Sequence, residues 1–205
     1  MKLFILIIFL LGHACFAQFK ITKLDEKSLP KSIKYSGHII NAVRWSDTLG
    51  DNIVITTETG ITQSKSNDGN VYRDAALYAY HYLLIKDSVR LTWKLYDYTK
   101  DCELDIKANY VKNTFAITDL NKDGVAEVWM MYKTVCHGDV SPSAMKIIMY
   151  EGDKKYALRG NNKVYTGQEY VGGEYIFDKR FINGPDIFRK YAIELWTKNI
   201  METWE

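Results

Sequence analysis

The chain predicts a mainly β fold: an antiparallel sheet of hairpins and meanders with one C-terminal amphipathic helix. Three observations predict it. Runs rich in Ile, Val, Thr and Tyr recur along the chain, bounded by Gly, Asn, Asp and Ser. Tight polar turns such as Glu151-Gly152-Asp153 separate neighbouring runs. A helical apolar stripe is confined to the tail beyond Pro185.

Taken in order, the opening MKLFILIIFLLGHACFAQ reads as a secretory signal peptide over residues 1–17. Lys2 supplies the positive end and Leu3 to Leu11 an apolar run, short of the about 20 residues a membrane helix wants. Cleavage is expected after Ala17, which places the mature protein outside the cytoplasm, in the periplasm, at the cell surface or secreted. A lipid-anchored Cys15 is the alternative, although Gly12 stands where such a signal wants leucine. Residues 18–205 then form a single domain, long enough for a proper core. No later segment is apolar enough to span a membrane. With 27 Lys and Arg against 25 Asp and Glu, no global charge points to nucleic acid.

Gln18 to Lys34 reads as a polar entry with a short strand. Gly37 to Trp45 and Asn52 to Glu58 form a strand pair about SDTLGD, and Gln63 to Asn70 a polar loop. Ala75 to Ile85 and Ser88 to Tyr98 pair around Lys86-Asp87. Leu104 to Val111 and Asn113 to Thr118 are expected to pair with each other, with Val125 to Val135 following. Met145 to Tyr150 and Lys154 to Leu158 flank a hairpin turn, Asn161 to Gly173 is a loop, and Gly173 to Phe177 a last strand. From Pro185, expected at the first helical position, to about residue 204, Ile187, Phe188, Tyr191, Leu195 and Trp196 share one stripe. That stripe is expected to cover a sheet face or edge.

Beyond the leader the cysteines are Cys102 and Cys136. In an oxidising compartment a lone pair is most simply a disulfide. A simple up-down-up meander objects to it. Ten residues of strand would part the two by about 30 Å, against a limit of about 7 Å between Cα atoms. A bend or a different strand order must bring them together.

The residues that carry most functional information lie in TDLNKDGVAEVW. Asp119, Asn121 and Asp123 occupy alternate positions, Gly124 follows, and Glu127 comes three residues later. Calcium wants six to eight hard oxygens on a sharply turning chain. Asp119, Asn121, Asp123 and Glu127 offer side-chain oxygens, Val125 its carbonyl, and Gly124 the turn. A helical EF-hand is excluded, because its twelfth position is Met130 and the flanks read as strands. A polar turn closed on its own backbone is the plainer reading. It leaves three converging carboxylates without a cation, so calcium is the expected cofactor.

Other groups point less far. His137 and Asp139 beside Cys136 fit a loop better than a nucleophile pair, since neighbours on a strand face opposite ways. His38 and His81 are isolated, and no hydrolase, zincin or phosphate-loop signature is present. Asp97, Asp101 and Asp105 are the acids an enzymatic reading would need. Lys154, Lys155, Arg159 and Lys163 form a modest basic cluster, suited to acidic glycans or simply a solvated hairpin face. The 15 tyrosines could stack on sugars, but a β-rich core and rim is the plainer use of them and the one expected.

Asp119 to Glu127 resembles the strand–loop–strand calcium loops of FG-GAP and VCBS repeats; WSDTLGDN is a degenerate echo of it. At full length the chain resembles a family of small exported proteins of Gram-negative bacteria, described as surface polysaccharide biosynthesis proteins. The motifs carrying that resemblance are WSDTLG, DLNKDGVAE, CHGDVSP and KYALRG. The resemblance implies a non-catalytic role in making or organising lipopolysaccharide or capsule, with surface polysaccharide or envelope assembly proteins as partners. A glycan-binding module and an enzyme acting on envelope glycans are the alternatives.

Overall fold

In the computed structural model, which describes residues 19–65, 69–86 and 88–202, the Ile-, Val- and Tyr-rich runs build two antiparallel sheets. The proposed signal peptide and its cleavage site lie outside the described residues. The first sheet runs in chain order from β1 (Thr22–Lys23) through β2 (His38–Asp47), β3 (Gly50–Lys65) and β4 (Val71–Ile85) to β5 (Ser88–Cys102). Each connection is local, as the sequence predicts. The expected polar loop at Gln63 to Asn70 is shorter than anticipated, since β3 runs on to Lys65 and β4 starts at Val71. A bulge between Glu58 and Ile61, with Gly60 at φ 70°, carries β3 past the point where the apolar pattern ends.

The second sheet contains β6 (Ile106–Tyr110), β7 (Ala116–Thr118), β8 (Glu127–Cys136), β9 (Ala144–Glu151) and β10 (Lys154–Asn161). A small hairpin of β11 (Lys163–Tyr165) and β12 (Tyr170–Gly172) lies inside the stretch expected as loop. β13 (Tyr175–Phe177) returns to the second sheet, whose order is β13-β10-β9-β8-β6. β6 and β7 do not pair with each other. Both lie antiparallel to β8, β7 on its first residues and β6 on its last, as one interrupted strand. The meander expectation fails there, and its objection to the disulfide fails with it. Ile106 faces Cys136 in register, so the end of β5 meets the end of β8. Cys102 and Cys136 are bonded, with Cα atoms 5.7 Å apart.

The chain ends in two helices, α1 (Lys179–Asn183) and α2 (Asp186–Asn199). Pro185 is the cap rather than the first helical residue, and α2 stops short of the expected 204. Asp178 caps α1 by accepting from Phe181 N, and Arg189 donates to the carbonyls of Phe181, Ile182 and Gly184.

The molecule is layered. A strap from Leu24 to Tyr35 covers the outside of the first sheet, burying Leu29 and Ile33 against Ile53, Ile55, Tyr80 and Tyr82. The main core lies between the sheets, around Trp45, Leu77, Trp93, Met130 and Ile148. The helices bury Phe181, Phe188, Ala192 and Trp196 against Trp129, Met131, Ile147 and Leu158 on the other face of the second sheet. Ile187 is 40% exposed and does not belong to that stripe. Glu58 of β3 ties the sheets together, accepting from Tyr110 N at 2.7 Å and Asn109 Nδ2 at 2.6 Å. Among the described residues no helix is long and apolar enough to cross a membrane.

Candidate metal loop

Between β7 and β8 the chain turns sharply because Lys122 and Gly124 both have positive φ, 60° and 81°. Glycine is required at 124 for a second reason. A Cβ there would come within 2.8 Å of the Thr48 methyl. Thr48 belongs to WSDTLG, the β2–β3 turn, and it donates to Gly124 O from both N (3.0 Å) and Oγ1 (2.9 Å). Ala126 N donates to Asp47 Oδ2 at 3.1 Å. Two motifs separate in sequence therefore form one joint.

Glu127 is fully buried, and its carboxylate organises the loop's entry. Oε2 accepts from Thr118 Oγ1 at 2.6 Å and from Leu120 N at 2.9 Å. Oε1 makes the longer contacts, to Leu120 N at 3.0 Å and Asn121 N at 3.5 Å. Burial pushes its pKa above the usual carboxylate range, the hydrogen bonds oppose this, and the nearby Asp119 charge adds to it. Asp123 closes the turn on itself, accepting from Val125 N at 2.8 Å and Asn121 Nδ2 at 3.0 Å. Asn121 Nδ2 also donates to Glu151 Oε1 at 2.7 Å. Asp119 differs: its Oδ1 is buried and has no hydrogen-bond partner.

The structure brings Asp119, Asn121, Asp123 and Glu127 into one loop and adds Glu151, which sequence reading missed. Glu151 ends β9 directly opposite Glu127 in register, so their side chains share a face. A carboxylate at the mouth of a hairpin turn is an ordinary turn residue, and only the β8–β9 pairing shows where it points. Lys154 offsets it at 3.2 Å. Among the described residues no group of three or more His, Cys, Asp or Glu is gathered as tightly as a bound metal needs. The Asn121 amide, placed between two carboxylates, holds the loop in its present form.

Asp47 extends the joint into the core. It accepts from Trp45 Nε1 and Asn52 Nδ2, both at 3.0 Å, and Asn52 Oδ1 lies 2.9 Å from His81 Nε2. Because the Asn52 amide nitrogen is spent on Asp47 and Gly50, its oxygen faces His81, so Nε2 carries the proton. His81 sits in a column of stacked rings, Trp45, His81, Trp93 and Tyr150. Burial pushes its pKa down to about 4 against the opposing pull of Asp47.

The remaining candidates separate. Asp97 is held by Tyr132 and Lys146, Asp105 is exposed beside Arg73, and Asp101 is exposed at a positive φ. His137 Nδ1 lies 3.1 Å from Asp139 O within its own loop, and its neighbour Cys136 is spent in the disulfide. Tyr78, Tyr96 and Tyr98 form a ladder of rings stacked 4.9 and 5.0 Å apart, in which Tyr96 and Tyr98 remain exposed. The basic cluster divides: Lys154 pairs with Glu151, and Lys163 lies over Tyr170. Gly160, which ends KYALRG, passes so close to Glu174 O that no Cβ fits. No protein-family model, curated protein or solved structure matches the chain.

Proposed function

We propose that this chain is an exported β domain stabilised by one structural calcium ion in the Asp119–Glu127 loop. Its role in making or organising surface polysaccharide is non-catalytic. The observation that carries the metal reading is the buried, unpartnered Asp119 Oδ1 beside the fully buried Glu127. An isolated buried carboxylate oxygen is costly, and a cation is the partner that offsets both charges. Asp119, Asn121, Asp123 and Glu127 supply side-chain oxygens and Val125 its carbonyl. Glu127 Oε1, with the longer contacts, keeps a lone pair for the ion. Asn121 turns its amide over, exchanging its bonds to Asp123 and Glu151 for a metal contact through oxygen. Glu151 is then freed as a sixth donor.

Export is supported by the disulfide, which persists in oxidising compartments. The polysaccharide role rests on the resemblance of the four motifs. The dispersal of Asp97, Asp101 and Asp105 favours a non-catalytic part over glycan hydrolysis.

Thermal melting in calcium and in chelator tests the metal. With an extracellular-type Kd of about 10⁻⁴ M, millimolar calcium adds about 1.4 kcal/mol. Asp119→Asn should abolish that gain while melting no lower than the wild type in chelator, because it removes an unpaired buried charge. Equal wild-type melting in both buffers, with no heat of calcium binding, defeats the proposal.

A further inference from the structure

Strand pairing reassorts the basic residues of the second sheet. Lys154 and Lys155 face opposite ways, and Lys155, Ala157 and Arg159 share the face of β10 that points toward the first sheet. In register, Arg159 lies directly opposite Lys146 of β9, and Lys146 lies opposite Tyr132 of β8. Like charges directly opposite each other on an antiparallel pair repel. Here the repulsion is only partly answered. Asp97, from the edge strand β5, lies 2.5 Å from Lys146 Nζ and also accepts from the Tyr132 hydroxyl at 2.8 Å. Neither Lys155 nor Arg159 has a side-chain hydrogen bond or ion pair with another described residue. Besides Asp97, the acid that acts on Lys155 is Asp178, which is spent on the backbone N–H groups of Ala157 and Phe181.

The place is open. The first sheet ends at β5, while the second continues through β10 to β13. Arg159 is exposed, and the side chains of Lys146 and Asp97 are 25% and 22% exposed. Lys155 is half-buried, and its pKa is lowered by burial first, then by Arg159, with Lys146 adding to the effect. A second anion is what this arrangement lacks.

We propose that Lys146, Lys155 and Arg159 form an oxyanion-binding shelf beside β5, which takes a carboxylate, phosphate or sulfate group of a ligand. Arg159 supplies a planar fork for two oxygens, and the two lysines supply point charges. Asp97 holds Lys146 toward the shelf and, as a like charge, sets a limit on how deep the anion sits. The site uses none of the loop residues, so it stands or falls separately from the calcium reading.

The test is titration of the whole protein with sodium glucuronate, inorganic phosphate and inorganic sulfate at constant ionic strength, with chloride as reference. Backbone amide shifts of residues 144–161 are the readout. Saturable shifts are expected with at least one oxyanion and not with chloride, and the strongest of the three arms assigns the group. Arg159→Gln and Lys155→Gln should each weaken binding tenfold or more, while Lys163→Gln and Asp119→Asn leave it within twofold. Both shelf variants should also melt no lower than the wild type without added oxyanion, since each relieves repulsion. Shifts that match those in chloride, or that survive Arg159→Gln unchanged, overturn the proposal.

Discussion

His81 shows how one buried side chain sets a pH dependence. Its folded pKa of about 4 lies below the about 6.5 of an unfolded chain, so the unfolded state takes up the proton first. The stability this gives is full above about pH 6.5 and is lost as pH falls toward 4. The loss amounts to about 3 kcal/mol. Urea unfolding at pH 7 and pH 4.5 measures it. His81→Gln, which can still donate to Asn52, should show a flatter dependence than the wild type, and an equal slope in both proteins would remove His81 as the cause. Nothing in the sequence around His81 signals this role, because its partners come from the two flanking strands, Asn52 from β3 and Thr92 and Trp93 from β5. The loop residues are the opposite case. Asp119 to Glu127 are near neighbours, so spacing alone places them together. What spacing does not show is that Glu127 already binds the loop's backbone.

At the scale of elements, α2 is held by Phe188, Ala192 and Trp196 rather than by intrinsic helix preference. Phe188→Ala should cost about 3–5 kcal/mol, whereas Ile187→Ala, on the exposed side, should stay within about 0.5 kcal/mol. Denaturant midpoints of the two variants check this; similar midpoints would mean that α2 is dispensable packing. A chain ending at Asn183 should be insoluble, since it bares Trp129, Met131 and Ile147. The period of the tail makes this helix legible. The strand pairs about local turns are legible too, because adjacent runs with a tight turn between them have few alternatives. The collinear β6 and β7 are not, since a three-stranded meander and a strand interrupted at 111–115 share the same apolar pattern. Register against β8 decides between them, and register is a long-range property. The division of the basic cluster was within reach, as alternation alone sends Lys154 and Lys155 to opposite faces.

Across the whole molecule, the two sheets meet through the core, through polar ties at Glu58, Asp97 and the Asp47–Thr48 turn, and through one covalent bond. The Cys102–Cys136 disulfide joins the last residue of the first sheet's edge strand to the last residue of β8, across a sequence separation of 34. Removing that link should cost about 2–4 kcal/mol through greater freedom of the unfolded chain. Unfolding of a Cys102→Ser, Cys136→Ser double variant measures the effect. Full alkylation of both thiols in exported, denatured, unreduced protein would show instead that the bond does not form.

The same bond makes a closed ring of the polypeptide from 102 to 136, and the Asp119–Glu127 loop lies wholly inside it. This changes what a single proteolytic cleavage does. A cut at an exposed bend between β6 and β8 severs the backbone but not the molecule. The two pieces stay tethered at the base of both sheets, and the loop's anchors to Asp47 and Thr48 keep the broken ends near their places. A single nick inside this ring therefore leaves one connected molecule rather than two fragments.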